Sequence, residues 1–218
     1  MHFIFAILIV LCVSSCIVSK KNTQADPWKL AWSDEFDYNG LRDSSKWGYN
    51  VGGHGWGNNE LQYYTEAEIA NAEVSNGSLK VKALKQKKEN RDYTSARLVT
   101  RGKADFKYGK IEIRAKLPPG RGLWPAIWML GSNHTTVGWP ECGEIDIMEH
   151  VGFEKDSVFG FIHTKAYNHM KNTQKGSKIF IENPYSEFHL YTLEWTPERM
   201  DFFLDNNLFF TLKNEKKT

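Results

Sequence analysis

Four carboxylates lie within nine residues of one segment, and three of them, Glu144, Asp146 and Glu149, alternate with apolar residues. In a regular strand Glu144 and Asp146 share a face and Glu149 lies on the opposite one, because successive side chains alternate. One extra residue at Ile147 or Met148, a β-bulge, would return Glu149 to the face of the other two. The segment therefore predicts a bulged strand that presents three acids in a row.

Two plainer interpretations of these acids stay open: a solvated face of an antiparallel sheet, and a cation site, since oxygen clusters bind Ca²⁺. The surrounding tryptophans favour a sugar cleft instead, because flat aromatic rings line ligand clefts. Trp124 and Trp128 are four residues apart and would share a face of a strand, and Trp56 and Trp139 add further indoles. A tryptophan pair can equally belong to a core.

The composition limits the class of protein. The chain has 218 residues, of which 41% are apolar and 25% charged, which excludes a disordered chain and allows one sizeable domain. Lys and Arg number 28 against 26 Asp and Glu, so the net charge of +2 gives no basic excess for binding nucleic acid. Aromatic residues make up 14% of the chain, and aromatics favour strands.

The elements that must position the acids follow a period of two. No stretch of 11 residues carries a helical stripe, whereas alternating or aromatic and β-branched runs predict strands at residues 79–83, 111–117, 157–163, 188–195 and 200–204. Gly160, inside one of these runs, predicts a bulge or a close backbone approach. Residues 205–207, Asp-Asn-Asn, separate two aromatic-rich runs and predict a β-hairpin. The pattern indicates an all-β sandwich or barrel.

The first residues indicate export. Residues 3–18 form an apolar run of 16, shorter than the ~20 that a membrane-spanning helix needs, and two lysines follow soon after. Residues 13–16, Val-Ser-Ser-Cys, resemble the lipobox of bacterial lipoproteins, which implies cleavage before Cys16, its acylation and an outer-membrane location. An ordinary secretory signal or an uncleaved anchor is the alternative. The predicted organisation is a signal peptide at 1–15, a polar tether at 16–27 and one domain at 28–218, in which Cys142 remains without a disulfide partner.

The segment from Glu144 to Glu149 resembles the E-x-D-x-x-E signature of glycoside hydrolase family 16 in its bulged form. Further segments are similar to the laminarinase branch of that family: WSDEF at 32–36, GWGNNELQYYT at 55–65, SAR at 95–97 with TRGK at 100–103, WPAIWML at 124–130, and GFIHT at 160–164 with YN at 167–168. The resemblance implies a jelly-roll β-sandwich whose concave sheet forms the substrate cleft. It also implies a retaining endo-hydrolase of β-1,3-glucan, with mixed-linkage β-glucan, agarose and κ-carrageenan as alternative substrates.

By position, the resemblance makes Glu144 the nucleophile, Glu149 the general acid/base and Asp146 an assisting acid. Retention requires two carboxyl groups roughly 5 to 5.5 Å apart, one ionised and one protonated. Like charges this close titrate in coupled steps, and the environment decides which group keeps the proton. We expect Asp146 to hydrogen-bond Glu144, and apolar and indole neighbours to raise the pKa of Glu149.

For substrate binding the resemblance suggests five residues: Asn58, Arg97, Trp124, Trp128 and His163. Each has a structural alternative, such as a turn role for Asn58, a carboxylate partner for Arg97 and a core position for His163. No cofactor, metal or nucleic acid is expected, a structural Ca²⁺ is left unassigned, and a monomer is expected. Family domains continue beyond the hairpin, so the domain is expected to be incomplete at its C-terminus. A non-catalytic glucan-binding protein and an inactive fragment therefore remain alternative functions.

Overall fold

The structure, a computed structural model, describes residues 28–215. The predicted signal peptide, Cys16 and the tether lie outside the described residues. Backbone contacts divide the chain into a unit of residues 1–30 and a unit of residues 31–218, and the fold described below is that of the second. No helix within residues 28–215 has the length and apolar character needed to cross a membrane.

Short strands make up nearly all the regular structure of the described residues. A four-residue helix and a 3₁₀ turn at His169–Lys171 are the helical elements. In chain order the elements are β1 (Gly48–Asn50), β2 (Gln62–Tyr64), β3 (Ala72–Val74), β4 (Leu79–Val81), β5 (Tyr93–Ser95), β6 (Arg97–Val99), β7 (Gly109–Ala115), β8 (Ala126–Leu130), α1 (His134–Val137), β9 (Glu144–Glu149), β10 (Ser157–His163), β11 (Lys175–Phe180), β12 (His189–Trp195), β13 (Arg199–Leu204) and β14 (Asn207–Lys213). Each predicted strand is present, with its ends displaced by at most two residues.

Two antiparallel sheets of four strands carry the fold. The first sheet has the order β11-β10-β9-β8 and the second the order β14-β13-β12-β7. Buried side chains of both sheets form one apolar cluster, with Ile145, Met148, Val158 and Ile162 from the first sheet and Tyr191, Leu193, Phe202 and Leu204 from the second. The two sheets therefore pack face to face, which confirms the predicted all-β sandwich.

Strand β9 contains the predicted bulge. Against β8, Trp128 pairs with Asp146 and Ile127 pairs with Met148, so Ile147 is an extra residue with no partner on that strand. Ile147 and Met148 are both buried in the core. Two consecutive apolar side chains thus enter the core, which a regular strand does not allow.

Strand β10 shows the consequence of the bulge from the other side. Asp146 pairs with Phe161 and Glu149 pairs with Phe159, so three residues of β9 span the distance of two residues of β10. Residues that pair directly lie on the same face of a sheet. Glu149 therefore returns to the face that Asp146 occupies.

The hairpin between β13 and β14 has a two-residue loop. Asp205 and Asn206 have φ angles of 48° and 66°, and Leu204 pairs with Asn207. Both loop residues are thus left-handed, as a primed hairpin turn requires. The predicted hairpin is confirmed, although Asn207 is the first residue of β14 and not part of the loop. His189 Nδ1 lies 2.7 Å from Asp205 Oδ2 and ties the loop to β12.

Gly160 is the point of close approach between the two sheets. A Cβ atom at this position would lie 3.0 Å from the ring of Phe202 and 3.2 Å from the ring of Phe209, both on the second sheet. The register of β10 against β9 also shifts between residues 159 and 161. The close approach predicted for Gly160 is therefore present, whereas the extra residue of the neighbouring bulge lies on β9 and not on β10.

We expect Gly160→Ala to lower the free energy of unfolding by ~1–3 kcal/mol, because overpacking forces rings or strands apart. Urea denaturation measures the loss. Gly48→Ala in β1 is the matched control, since its Cβ would meet Val99 at an ordinary 3.7 Å. An alanine at position 160 that leaves stability unchanged would contradict this packing.

Candidate active site

Three carboxyl groups meet on the outward face of the first sheet. The bulge in β9 brings Glu149 to the side of Glu144 and Asp146. Asp146 is only 3% exposed, and Glu144 and Glu149 are half-buried. A solvated sheet face would expose its acids, so that alternative interpretation is wrong.

Asp146 lies between the two glutamates and hydrogen-bonds Glu144, as expected. Its burial, the charge of Glu144 and that hydrogen bond all raise the pKa of Asp146. Asp146 therefore keeps its proton to a higher pH than an ordinary aspartate does, and its O–H donates the hydrogen bond to Glu144. His163 Nε2 lies 3.4 Å from Asp146 Oδ2 on the neighbouring strand.

Glu144 receives a second hydrogen bond, donated by the indole N–H of Trp139. The positive charge of Arg97 also acts on Glu144. Hydrogen-bond donors and a nearby cation favour an ionised carboxylate. Of the three acids, Glu144 therefore has the hydrogen-bond donors and the nearby cation that best stabilise a negative charge.

The indole of Trp139 is held by two histidines. His169, in the 3₁₀ turn, stacks on it with ring centroids 4.8 Å apart and planes at 30°. His163 lies 5.9 Å from the same indole. The sequence analysis noted Trp139 only as a further indole and did not identify His169, because nothing in the pattern around residue 169 links it to the acids.

Glu149 is the proton-holding glutamate. Burial first, and then the charges of Asp146 and Glu144, raise the pKa of Glu149 to about 7. Trp124 opposes this shift, because its indole N–H donates to Glu149 Oε1 at 3.1 Å and stabilises the charged form, and His163 acts in the same direction. The pKa of Glu149 is raised as expected, although the hydrogen bond from the Trp124 indole N–H works against the rise.

Trp124 does not lie on the same strand as Trp128. Strand β8 begins at Ala126, so Trp124 belongs to the preceding loop, where it is 49% exposed. Trp124 and Trp128 therefore do not share a face of one strand, and that expectation was wrong. Pro125, which follows Trp124 directly, lacks the N–H that a continued ladder would need.

Arg97 is clamped between two indoles. Its guanidinium carbon lies 4.6 Å from the ring centre of Trp56 and 4.5 Å from that of Trp128. Burial lowers the pKa of Arg97, while the negative charges of Glu60 and Glu144 oppose that shift. The cation is thus held by aromatic faces beside the acids, and not by a carboxylate on the sheet as the alternative interpretation suggested.

The two remaining candidates differ in their relation to the acids. His163 pairs with Glu144 across β9 and β10, contacts Asp146 and acts on the charge of Glu149, so it lies beside the row of acids. Asn58 is exposed in the turn after Trp56, where its backbone N–H donates to Gly55 O at 3.0 Å. The turn role proposed as the alternative for Asn58 is present.

A metal interpretation finds no support in the part of the chain that the structure describes. Within residues 28–215 no group of three or more His, Cys, Asp or Glu side chains is arranged to hold a metal ion. The three acids instead hydrogen-bond one another or indole N–H groups. Cys142 is a free thiol, half-buried beside this segment.

The titration of Glu149 tests this electrostatic account. We expect its carboxyl carbon to titrate near pH 7 in a ¹³C NMR experiment, and to titrate at higher pH in Trp124→Phe, because the variant loses the donor that stabilises the charged form. Trp195→Phe, at the end of β12 beside Tyr108, is the control and should leave the midpoint unchanged. A midpoint in Trp124→Phe that stays or falls would overturn the assignment.

Comparison with known proteins gives a consistent result. The sequence model of glycosyl hydrolases family 16 matches residues 58–218. The chain is 55% identical over 214 residues to a beta-glucanase of Rhodothermus marinus, which covers 97% of this chain and 75% of that protein. It is 38% identical over 190 residues to a glucan endo-1,3-beta-glucosidase of Cryptopygus antarcticus, which covers 84% of this chain and 69% of that protein.

A solved structure agrees as well. The X-ray structure of the laminarinase from Rhodothermus marinus superposes with a TM-score of 0.85 at 58% identity, covering 86% of this chain and 76% of that one. This likeness confirms the predicted jelly-roll β-sandwich.

Proposed function

This chain belongs to glycosyl hydrolases family 16, and we propose that it is a retaining endo-hydrolase of β-1,3-glucan in which Glu144, Asp146 and Glu149 perform the reaction. The observation that carries the proposal is the unequal state of three acids on one face. Glu144 is supplied with donors for a negative charge, whereas the pKa values of Asp146 and Glu149 are raised. One bare and one protonated carboxyl group are what retaining hydrolysis needs.

In the first step the Glu144 carboxylate attacks the anomeric carbon, and a covalent glycosyl–enzyme ester forms. Glu149 gives its proton to the glycosidic oxygen, which departs as the hydroxyl of the leaving sugar. In the second step Glu149 takes a proton from water, and the resulting hydroxide attacks the same carbon and releases Glu144. Two inversions leave the anomeric configuration unchanged.

The charge coupling between the glutamates helps Glu149 change roles. The negative charge of Glu144 is one of the causes that raise the pKa of Glu149. Once Glu144 is esterified that charge is gone, so the pKa of Glu149 falls and Glu149 becomes the ionised base that the second step needs. Asp146, which holds its proton beside Glu144, keeps that carboxylate oriented and then stabilises it as it leaves.

The substrate assignment rests on the relatives and on the aromatic site. A glucan endo-1,3-beta-glucosidase and a beta-glucanase are among the matching proteins. The two indoles around Arg97 provide flat apolar surfaces and a fixed cation beside Glu144, which suits a sugar ring with one apolar face and many hydroxyls.

We expect Glu144→Ser to lower kcat/KM for laminarin by at least about 1000-fold, because the reaction loses its nucleophile. Binding of laminari-oligosaccharides, measured by calorimetry, should persist, and Cys142→Ser serves as a control for the local fold. Near-normal turnover in Glu144→Ser would end the assignment. Wild-type protein that binds without releasing sugar would favour the glucan-binding alternative, and faster release from mixed-linkage β-glucan, agarose or κ-carrageenan would change the substrate.

We also propose that the protein is exported and carried on the outer membrane by a lipid on Cys16. The proposal is supported by the apolar run at residues 3–18 and by the Val-Ser-Ser-Cys sequence at its end. We expect labelled palmitate to be incorporated into the wild-type protein in a bacterial host but not into Cys16→Ser, with Cys12→Ser as the matched control. Equal labelling of Cys16→Ser would contradict the anchor.

A further inference from the structure

Five side chains form a closed ring of contacts that includes the nucleophile. Glu144 is hydrogen-bonded to Asp146 on one side and to the indole of Trp139 on the other. Asp146 contacts His163, and the rings of His163 and His169 meet edge to face, with centroids 5.3 Å apart and planes at 81°. His169 stacks on Trp139 and closes the ring. His169 is thus joined to both sides of the Glu144–Asp146 pair through aromatic side chains.

We propose that His169 is a positioning residue for the nucleophile: its imidazole fixes the plane of the Trp139 indole, and that indole holds Glu144 in the orientation for attack. This inference rests on the proposed hydrolase function. It adds to that function a residue that acts on the first step of the reaction through another side chain.

The indole of Trp139 needs a fixed plane because of the hydrogen bond that it makes. Trp139 lies in the turn between α1 and β9 and not in a strand. Its indole N–H donates to Oε2 of Glu144. A hydrogen bond weakens steeply when the donor angle falls below about 120°, so a rotation of the indole would remove it. The side chains that pack on the faces of the indole therefore decide whether Glu144 keeps this donor.

Stacking by His169 supplies that restraint. The centroids of the two rings are 4.8 Å apart and the ring planes differ by 30°, which is within the range of favourable aromatic pairs. His163 approaches the same indole at 5.9 Å with planes at 51°, which is a tilted contact. Of the two histidines, His169 lies flatter on the indole and therefore restricts its rotation more.

The place of His169 is fixed by its neighbour Asn168, which is 1% exposed. The side-chain amide N–H of Asn168 donates to Thr164 O at 3.1 Å, and the backbone carbonyl of Asn168 accepts the N–H of Thr173 at 3.1 Å. These bonds join the two ends of the loop between β10 and β11. The 3₁₀ turn that carries the imidazole is therefore held at its base by a buried side chain.

Removal of the His169 ring should act on the site and not on the fold. His169 is exposed, whereas Trp139 is half-buried, so the imidazole covers the indole from the solvent side and its loss leaves no cavity in the core. Without the stack, Glu144 keeps its bond to Asp146 but loses the fixed donor on its other side. A carboxylate displaced by about 1 Å from the line of attack can lose about 100-fold in rate.

The test measures the first step alone. The probe is a dinitrophenyl glycoside of laminaribiose that carries fluorine in place of the hydroxyl beside the reacting carbon. An oxygen of Glu144 bonds to that carbon as the bond to dinitrophenolate breaks, and this leaving group departs without a proton from Glu149. The fluorine slows both steps and the good leaving group restores only the first, so the ester on Glu144 accumulates and is counted by mass spectrometry.

We expect the labelling rate constant at saturation to fall by about 10- to 100-fold in His169→Ala, because Glu144 is no longer held for attack. The probe concentration for half-maximal labelling should change by less than about threefold, since the sugar contacts are kept. His169→Phe keeps a flat ring and should label within about threefold of the wild-type rate. Met170→Ala, in the same 3₁₀ turn and 76% exposed, is the matched control and should leave both values unchanged.

The outcomes separate the two proposals. Wild-type protein that neither hydrolyses laminarin nor becomes labelled contradicts the proposed function itself. If the wild type is labelled, an unchanged rate constant in His169→Ala overturns the positioning role, as does a change confined to the half-maximal concentration, because His169 would then bind sugar. A His169→Phe protein as slow as His169→Ala overturns the stacking account. If His169→Ala does not fold by circular dichroism, His169→Leu, which keeps apolar volume without a flat ring, must show the same loss.

Discussion

The arrangement of this site depends on one extra residue in one strand. Without the bulge at Ile147, strict alternation would place Glu149 on the core side of the first sheet, where an unpaired carboxylate is costly to bury. With it, Ile147 and Met148 both enter the core, and their burial stabilises the irregular backbone. The same apolar contacts that hold the sandwich together therefore fix the spacing of Asp146 and Glu149, so fold and site share one constraint.

Bringing three acids together creates the second constraint, which is electrostatic. Three charges on one half-buried face would repel one another, and burial disfavours each of them. The surroundings reduce this repulsion in two ways. Hydrogen-bond donors stabilise the negative charge of Glu144, and the raised pKa values of Asp146 and Glu149 favour their protonated forms. Trp124 limits the shift at Glu149, so that its pKa stays near neutrality, where a group can both give and take a proton. Indole N–H groups thus act here as electrostatic components as well as surfaces.

The features that the sequence predicted are those set by neighbours along the chain. Alternation identified the strands, the left-handed tolerance of Asp205 and Asn206 identified the hairpin, and the spacing of the acids required the bulge. The contacts that it missed join segments far apart or lie in loops. The clamp on Arg97 and the stacking of His169 on an indole depend on loop conformation and on which strands become neighbours, and no local pattern records either. The order of the sheets likewise follows from long-range packing.

The pair formed by β10 and β11 shows how core and cleft limit each other. Gly160 admits rings of the second sheet on the core face, and Gly176 admits Phe161 on the cleft face. A side chain at Gly160 would separate the sheets, while one at Gly176 would lift the ring off the strand. A glycine destabilises a strand, and here two glycines lie in adjacent strands. Aromatic packing against Gly160 on the core face and against Gly176 on the cleft face offsets that loss of stability. The surface beside Asp146 is therefore set by the backbone of β11 as much as by the side chains of β10.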